Sequence, residues 1–421
     1  MPVHSQEVFL IQSLRRPLLA LVVTAACFAG PGGEPANTHD AEALRHYDIR
    51  STNLPPPYAT PSKATVANVV SQPPGAHLNL PAGFEIRTYA SNGFENPRFM
   101  AQAPNGDIFV ADTGGSKIVI LRDANGDGVP EQRFVFAEGL NEPFGLAFHD
   151  GYIYIGNTDA IIRYPYQAGQ TRVTGPYDLI AKVPTRGHST RNIVFGPDGK
   201  LYIAIGSRSN DSTDEPAERA AISICDAGGG NRRIFASGLR NPTGMAFRPG
   251  SSELYTTVNE RDERGDNLPP DYMTSVHDGE FFGWPFAYSG PHADPKNGRL
   301  RPDLVARTRV PDVLIQAHSA ALGLAFYEGS VFPADYRGDA FVALHGSWNR
   351  AQVTGYKIVR IHFRNGKPVG GYDDFVTGWI LDQSTGRVWG RPVGLLVLKD
   401  GSLLISDDGA RKIWRVTYKG K

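Results

Sequence analysis

A short phrase recurs six times along the chain, and it consists of a turn, an apolar run, a glycine-containing turn and a second apolar run. The copies are APNGDIFVAD, LAFHDGYIYIGN, IVFGPDGKLYIAIG, MAFRPGSSELYTTVN, LAFYEG with the later DAFVALHG, and LLVLKDGSLLISDDG. Each indicates two alternating strands joined by a tight turn. Such a hairpin cannot bury its apolar face alone, so neighbouring copies must pack around a common axis. The sequence therefore predicts an all-β, six-bladed β-propeller.

The bulk composition agrees with a single closed ring. The 421 residues exceed one ordinary domain, but a propeller can absorb that length, and 47 glycines and 32 prolines suit a turn-rich all-β chain. A formal net charge of +0 gives no global field that would attract nucleic acid or an anionic membrane. No internal apolar stretch reaches the length of a membrane span. A small polar or neutral ligand is the expected partner.

The N-terminus has the pattern of an export signal. Arg15 and Arg16 precede the apolar run PLLALVVTAACFAG, so residues 1–29 are predicted to be a secretory signal peptide. Thr24–Cys27 resembles a lipobox, which leaves lipid anchoring at Cys27 as an alternative to simple cleavage. Both readings predict a periplasmic or secreted protein. With Cys27 removed or acylated, Cys225 would have no disulfide partner.

Residues 30–77 are rich in Pro and Ala and form, in this interpretation, a tether or an extended wrap. The propeller domain is predicted to span residues 78–421, beginning with LNLPAGFEIRTYA and ending with the strand ARKIWRVTY. In propellers the two chain ends often share one blade, because that closure removes an exposed strand edge.

The first candidate site residue is His188, in a loop directly before the inner strand of one blade. Such loops from all blades converge over the central channel. Arg240 and Asn241 occupy the corresponding position of the next blade, which places a cation and an amide beside the histidine. From the residues alone two other readings stay open: a structural or solvated histidine, and an Arg-Asn pair that only fixes its loop.

Several segments, taken in their order along the chain, resemble the pyrroloquinoline quinone (PQQ)-dependent sugar dehydrogenases. The resemblance is to the soluble aldose and glucose type together with the sorbosone dehydrogenase branch. The segments are HSTRNIVFGPDGKLYIAIG, GLRNPTGMAF, NERDERGDNLPPDYMTSV, HSAALGLAFY, HGSWNR and GRPVGLLVLKDGSLLISDD, spread over residues 78–418. The resemblance implies PQQ over the channel mouth with Ca²⁺ against it. It implies that His188 is the base that takes the proton from the anomeric hydroxyl while hydride leaves for the quinone C5. Arg240 would stabilise the developing quinone anion, and Asn241 would orient the cofactor.

One position departs from this family pattern. The glucose-type members carry an acidic residue before the base, whereas this chain has Gly187. The orienting contact is therefore expected from Arg186, from His318 or from water, or it is absent.

The resemblance also implies metal and carboxylate ligands. It places the calcium-binding main-chain carbonyls near Asp262 and Glu263, counted from Glu260, although a solvated, salt-bridged loop is the alternative. Arg350 and Arg391 stand where the family binds the PQQ carboxylates, and His318 is a further cofactor-binding candidate. Trp348 and Trp389 would stack on a planar ring or serve in packing. The loop Asp123–Glu131 resembles a calcium loop, but it lacks the spacing of an EF-hand, and a plain hairpin turn is favoured.

Three functions remain in competition. The favoured one is a quinoprotein that oxidises an aldose or a sugar aldehyde such as sorbosone and passes electrons to an external acceptor, since no CxxCH motif supplies a c-type haem. The second is a propeller lactonase with one central metal held by acidic and amide side chains. The third is a non-catalytic carbohydrate- or protein-binding propeller. The channel entries offer His188 together with the cations Arg240 and Arg391, and such a set favours a polyanionic cofactor over a bare central metal.

Overall fold

The computed structural model describes residues 44–420, and these confirm the all-β prediction. Within that range the helical elements are the α-helix Pro302–Ala306 and the 3₁₀ turns Ser51–Asn53, Gly298–Leu300 and Ala334–Tyr336. None of the described helices has both the length and the apolar composition needed to cross a bilayer. The predicted signal peptide and Cys27 lie outside the described residues.

The strands form antiparallel sheets that follow one another along the chain, numbered here 1 to 6. Sheet 1 contains Pro97–Gln102, Ile108–Asp112, Lys117–Arg122 and Gln132–Glu138, and sheet 2 contains Gly145–His149, Tyr152–Gly156, Ala160–Pro165 and Asp178–Lys182. Sheet 3 contains Arg191–Phe195, Leu201–Ile205, Ala221–Cys225 and Arg233–Ser237, and sheet 4 contains Pro242–Phe247, Leu254–Val258, Asp271–Val276 and Val313–Ile315. Sheet 5 contains Ala321–Phe326, Ala340–Leu344, Lys357–Ile361, Tyr372–Val376 and the added strand His46–Tyr47, and sheet 6 contains Pro392–Val397, Leu403–Asp407, Lys412–Tyr418 and Phe84–Ala90.

Three smaller sheets lie beside these six. Asn68–Val69 runs parallel to Arg387–Val388, which also pairs with Ile380–Asp382. The other two are hairpins, Ala287–Tyr288 with His292–Ala293 and Phe363–Arg364 with Lys367–Pro368.

The sheets close into a ring. The first strand of each sheet contacts the first strand of the next, and that of sheet 6 contacts that of sheet 1. A cluster of buried apolar side chains fills each space between neighbouring sheets. Phe84–Ala90 pairs with the C-terminal strand Lys412–Tyr418, with Phe84 opposite Tyr418, so the two ends of the body share sheet 6 as expected. This pairing covers an edge that would otherwise be exposed.

Close backbone packing between neighbouring sheets explains why the recurring phrase contains glycine. A Cβ added to Gly145 would lie 2.7 Å from the Arg191 carbonyl oxygen of sheet 3, and one added to Gly394 would lie 2.6 Å from the Arg98 carbonyl oxygen of sheet 1. Real Cβ atoms do not approach a backbone oxygen this closely, so only glycine lets the inner strands pack together around the channel. Gly244 and Gly323 occupy equivalent positions.

Residues 54–72, called the N-terminal strap below, are hydrogen-bonded to the ring. The Tyr58 amide donates to the Arg264 carbonyl at 2.8 Å, and the Thr65 amide donates to the Trp348 carbonyl at 2.7 Å. The described part of this Pro/Ala-rich region therefore follows the ring, and its assignment as a tether or a wrap stays a prediction.

Candidate active site at the channel mouth

The predicted site residues all lie in loops at one end of the sheets. His188, Arg240, Asn241, His318 and Arg391 come shortly before first strands, whereas Glu260, Asp262, Glu263 and Arg350 lie between second and third strands. Because successive strands alternate in direction, these two kinds of loop share one end of an antiparallel sheet. The closed ring therefore gathers the candidates around the mouth of its channel.

His188 has the geometry of a neutral base. Its Nδ1 lies 2.7 Å from the Ser207 carbonyl oxygen, which can only accept, so Nδ1 carries the proton and Nε2 keeps its lone pair. Burial, followed by the charge of Arg240, lowers the pKa of His188 to about 4. The imidazole is therefore neutral at ordinary pH and can accept a proton at Nε2.

The orienting contact that Gly187 cannot provide comes from Ser207, a residue the sequence did not indicate. Gly187 has a φ of 75°, and a Cβ there would collide with the Arg208 backbone. The local backbone thus excludes the acidic side chain that glucose-type members carry at this position. His318 contacts Asp262 and Gly265 instead.

Asn241 presents an unsatisfied acceptor beside the base. It is buried, and its Oδ1 has no hydrogen-bond partner in the described part of the chain. A Cβ added to Gly206 would clash with that oxygen and would lie 2.9 Å from the Cβ of His188, so only glycine lets these two side chains pack against the backbone here. A buried polar atom without a partner is costly, and a bound ligand is one way to satisfy it.

Arg240 is held in place by its neighbours at the mouth. Its guanidinium donates to the Glu260 carbonyl at 2.8 Å and to the Asn210 side-chain oxygen at 3.2 Å, and it lies 3.4 Å from the Asp262 carboxylate. The same Asn210 oxygen accepts the Asp262 amide at 2.9 Å. Asn210 therefore ties Arg240 to the predicted metal loop. This role of Asn210 could not be predicted from the sequence, because nothing in its local pattern distinguishes it from any other loop asparagine.

The three predicted calcium residues have different surroundings. The Glu260 carboxylate is buried against the Arg261 guanidinium at 3.0 Å, Glu263 is exposed, and Asp262 lies between Arg240 and His318. Burial would lower the pKa of His318, but its contacts with Asp262 and the Gly265 carbonyl raise it. The three carboxylates therefore do not form a side-chain cage for calcium. Calcium binding through main-chain carbonyls here stays a prediction.

A second charged cluster surrounds Arg391. Its Nη2 lies 3.1 Å from His345 Nδ1, while His345 Nε2 lies 2.9 Å from Asp408, which also pairs with Arg98 at 3.0 Å. Burial and then the charge of Arg391 lower the pKa of His345 to about 4. Burial alone would raise the pKa of Asp408, but His345 and Arg98 hold it below its usual range.

This cluster borders a cavity of about 770 Å³, whose lining includes Arg98, Trp389, Arg391 and Asp408. The repeat did not indicate Arg98, because Arg98 follows Pro97 in sheet 1 whereas Arg391 precedes the equivalent Pro392 in sheet 6. His345 and Asp408 lay inside the segments HGSWNR and DDG, but neither was assigned a role.

The remaining candidates have mainly structural contacts. Arg350 donates to the Asp266 carbonyl at 2.5 Å, which joins its loop to the predicted metal loop. Trp389 is buried and donates to the Gly378 carbonyl, whereas Trp348 is 47% exposed. Their predicted contacts with a cofactor or sugar stay predictions.

In the loop Asp123–Glu131, carboxylate atoms of Asp123, Asp127 and Glu131 lie within 4.8 Å of one another. Asp123 accepts the amides of Gly126 and Gly128, each at 2.7 Å, and Glu131 accepts the Ala124 amide at 2.8 Å. These bonds suffice to shape a turn. The preference for a plain turn stays a prediction.

The donor set fits PQQ, which has three carboxylates and quinone oxygens. Arg391 and Arg98 supply cations on one side of the mouth, and Arg240 supplies a buried cation on the other. Guanidinium groups suit carboxylates because they bind them through two parallel hydrogen bonds. The free lone pair of His188 and the unsatisfied Asn241 oxygen lie beside Arg240.

The fold and this mouth define an all-β propeller protein with a cationic site at one end of its channel. A family model described as TrAA12-like matches residues 78–278 and 301–419, so the chain belongs to the TrAA12-like family.

Two other proteins and one solved structure are similar to this chain. An uncharacterized protein of Borreliella burgdorferi is 30% identical, with 81% of this chain and 91% of the relative covered. The aldose sugar dehydrogenase YliI of Escherichia coli is 29% identical over 36% of this chain and 44% of the relative. The holo PQQ domain of the Coprinopsis cinerea pyranose dehydrogenase superposes with a TM-score of 0.70 at 20% identity, covering 83% of this chain and 99% of that one. PQQ-dependent sugar dehydrogenases are therefore among its relatives.

Proposed function

We propose that this chain is a PQQ-dependent sugar dehydrogenase built on a six-bladed β-propeller. The observation that carries the proposal is the neutral His188, with a free Nε2, beside a buried arginine and the unsatisfied oxygen of Asn241. The six sheets of four or five strands, closed into a ring, support the blade number. An aldose sugar dehydrogenase among the relatives supports sugar oxidation, and a relative named as a PQQ-dependent pyranose dehydrogenase supports the cofactor.

The chain's own residues account for the proton and charge movements. His188 Nε2 accepts the proton of the hydroxyl on the sugar carbon that is oxidised, and the Ser207 carbonyl fixes the ring in the tautomer that makes this possible. Arg240, held by Asn210 and the Glu260 carbonyl, supplies a fixed positive charge where negative charge develops. When bound, PQQ supplies the quinone carbon that accepts the hydride.

The finer features of the proposal rest on sequence. The resemblance leads us to propose oxidation at C1 of an aldose or of an aldehyde such as sorbosone, with transfer of electrons to an external acceptor. The predicted signal segment leads us to propose a periplasmic or secreted location. Reconstitution with PQQ and Ca²⁺, followed by dye reduction with a panel of aldoses and sugar aldehydes, tests the function. A protein that reduces dye with none of these sugars, yet hydrolyses lactones with a metal alone, would contradict it.

PQQ binding is expected to require Ca²⁺. A divalent ion at the Asp262 loop would supply the counter-charge that the carboxylate and quinone oxygens of the cofactor need. Titration of chelator-washed protein with PQQ, with and without added Ca²⁺, measures the effect through the absorbance of bound cofactor. Equal affinity in both titrations would show that the arginine clusters alone hold the cofactor.

Arg391→Ala is expected mainly to weaken PQQ binding. The guanidinium faces the cavity far along the ring from His188, so its loss removes a carboxylate contact remote from the reacting carbon. Saturating PQQ should then restore much of the turnover. Lys399→Ala, which alters an exposed side chain in a turn of sheet 6, is the matched control and should leave the titration unchanged. Normal PQQ affinity with slow turnover in Arg391→Ala would contradict this assignment.

A further inference from the structure

The N-terminal strap crosses the same end of the ring that carries the candidate site. It first meets the predicted metal loop, where the Tyr58 amide donates to the Arg264 carbonyl and the Thr60 hydroxyl accepts the Asp266 amide, both at 2.8 Å. The Tyr58 ring also lies 5.9 Å from the Arg264 guanidinium. The strap is therefore bonded to the loop of sheet 4 that contains Asp262.

The strap then continues across two more segments. The Thr65 amide donates to the Trp348 carbonyl at 2.7 Å, in the loop of sheet 5 that also carries Arg350. The Asn68 and Val70 amides donate at 2.8 Å to the carbonyls of Gly386 and Val388, in the connection that leads to Arg391. One extended stretch thus joins three segments that bear predicted cofactor ligands.

The end of the strap forms part of the cavity itself. Val69, Val70, Ser71 and Gln72 line it together with Arg98 and Arg391. Gln72 is held in place because its amide nitrogen donates to the Ala76 carbonyl at 2.8 Å and its side-chain oxygen accepts from Lys412 at 3.4 Å. A ligand bound to Arg391 would therefore have the strap as one of its walls.

From this arrangement we infer that the N-terminal strap retains PQQ in its site by slowing its release, an inference that rests on the proposed function. A large planar polyanion can leave only if the mouth opens. The strap couples the Asp262 loop, the Arg350 loop and the Gly386–Val388 segment, so they must separate from it together before the mouth widens. Local opening of this kind is governed by the hydrogen bonds that must break first.

The test changes the strap without touching any predicted ligand. Val70→Pro removes the amide that bonds to Val388, and Val69 before it lies in a strand, a conformation that a following proline favours. Gln72→Ala opens the cavity wall without altering the backbone. Ser62→Pro, at an exposed position of the same strap, is the matched control. Each variant is loaded with PQQ and Ca²⁺, and release is followed by cofactor absorbance in the presence of excess tagged wild-type apoprotein as a trap.

Val70→Pro is expected to release PQQ about tenfold faster than wild type, the effect of losing a well-made hydrogen bond, and Gln72→Ala severalfold faster. Ser62→Pro should match wild type, and melting temperatures of the apoproteins should remain close. If wild type binds PQQ but both cavity-side variants release it at the wild-type rate, the retention role is overturned and the proposed function stands. If wild type takes up no PQQ, the proposed function and this inference fall together.

Discussion

His188→Gln should lower turnover by about 10²- to 10⁴-fold while leaving the fold and PQQ binding nearly intact, the range typical of a lost general base. Glutamine can still donate to the Ser207 carbonyl, but it offers no basic nitrogen in place of Nε2. The side chain lies in a loop over the channel and not on an apolar strand face, so the substitution creates no core cavity. Turnover, PQQ titration and melting temperature are measured on one preparation.

The control for this variant is His277→Gln. His277 is exposed and follows the third strand of sheet 4, at the end of the sheet opposite the site, so its loss should leave all three measurements unchanged. A His188 variant with wild-type turnover on its best sugar would remove the central residue of the proposed mechanism. Reduced stability with normal activity per folded molecule would instead assign His188 a structural role.

The ring could be predicted from the repeat, because each hairpin is specified by residues that are close in sequence. Alternating apolar residues and Gly turns specify each hairpin, and glycines such as Gly145 and Gly394 are required by the neighbouring backbone. The positions of His188, Arg240 and Arg391 followed from their places before first strands. Contacts between distant segments could not be predicted in this way. Ser207 acts through a backbone carbonyl that any residue could supply, and Asn210 acts through a side-chain oxygen that any loop asparagine could supply. Only the folded chain shows which ones meet His188 and Arg240.

Charge patterns were the weakest guide. The loop from Asn259 to Asp266 reads as a cluster of oxygen donors, but the sequence cannot tell which carboxylates face a ligand and which are neutralised inside the protein. The Glu260 carboxylate is buried in an ion pair with Arg261, whereas Glu263, two residues after Arg261, is exposed to solvent. The difference depends on the hairpin around Ala287 and on Asp294, which approach the loop from later in the chain.

Arg261→Met should destabilise the fold by about 3–5 kcal/mol, the cost typical of leaving one partner of a buried ion pair uncompensated. The Arg261 side chain is fully buried. It bonds to Glu260 and Asp294, each at 3.0 Å, and to the carbonyls of Pro285 and Ala287. Methionine fills similar volume but satisfies none of these oxygens. Asp294 keeps a second partner in Arg264, so the main uncompensated charge is that of Glu260.

Denaturant unfolding of the apoprotein measures this loss, with Arg301→Met as the matched control. Arg301 pairs with Asp303 on the surface, and exposed pairs of this kind contribute little, so its replacement should cost less than about 1 kcal/mol. Repeating both measurements with Ca²⁺ and with chelator separates the two roles considered for Glu260. If its carboxylate belongs to the ion pair, the destabilisation by Arg261→Met is the same in both buffers. If Glu260 is instead a calcium ligand, added Ca²⁺ would replace the missing guanidinium and rescue the variant.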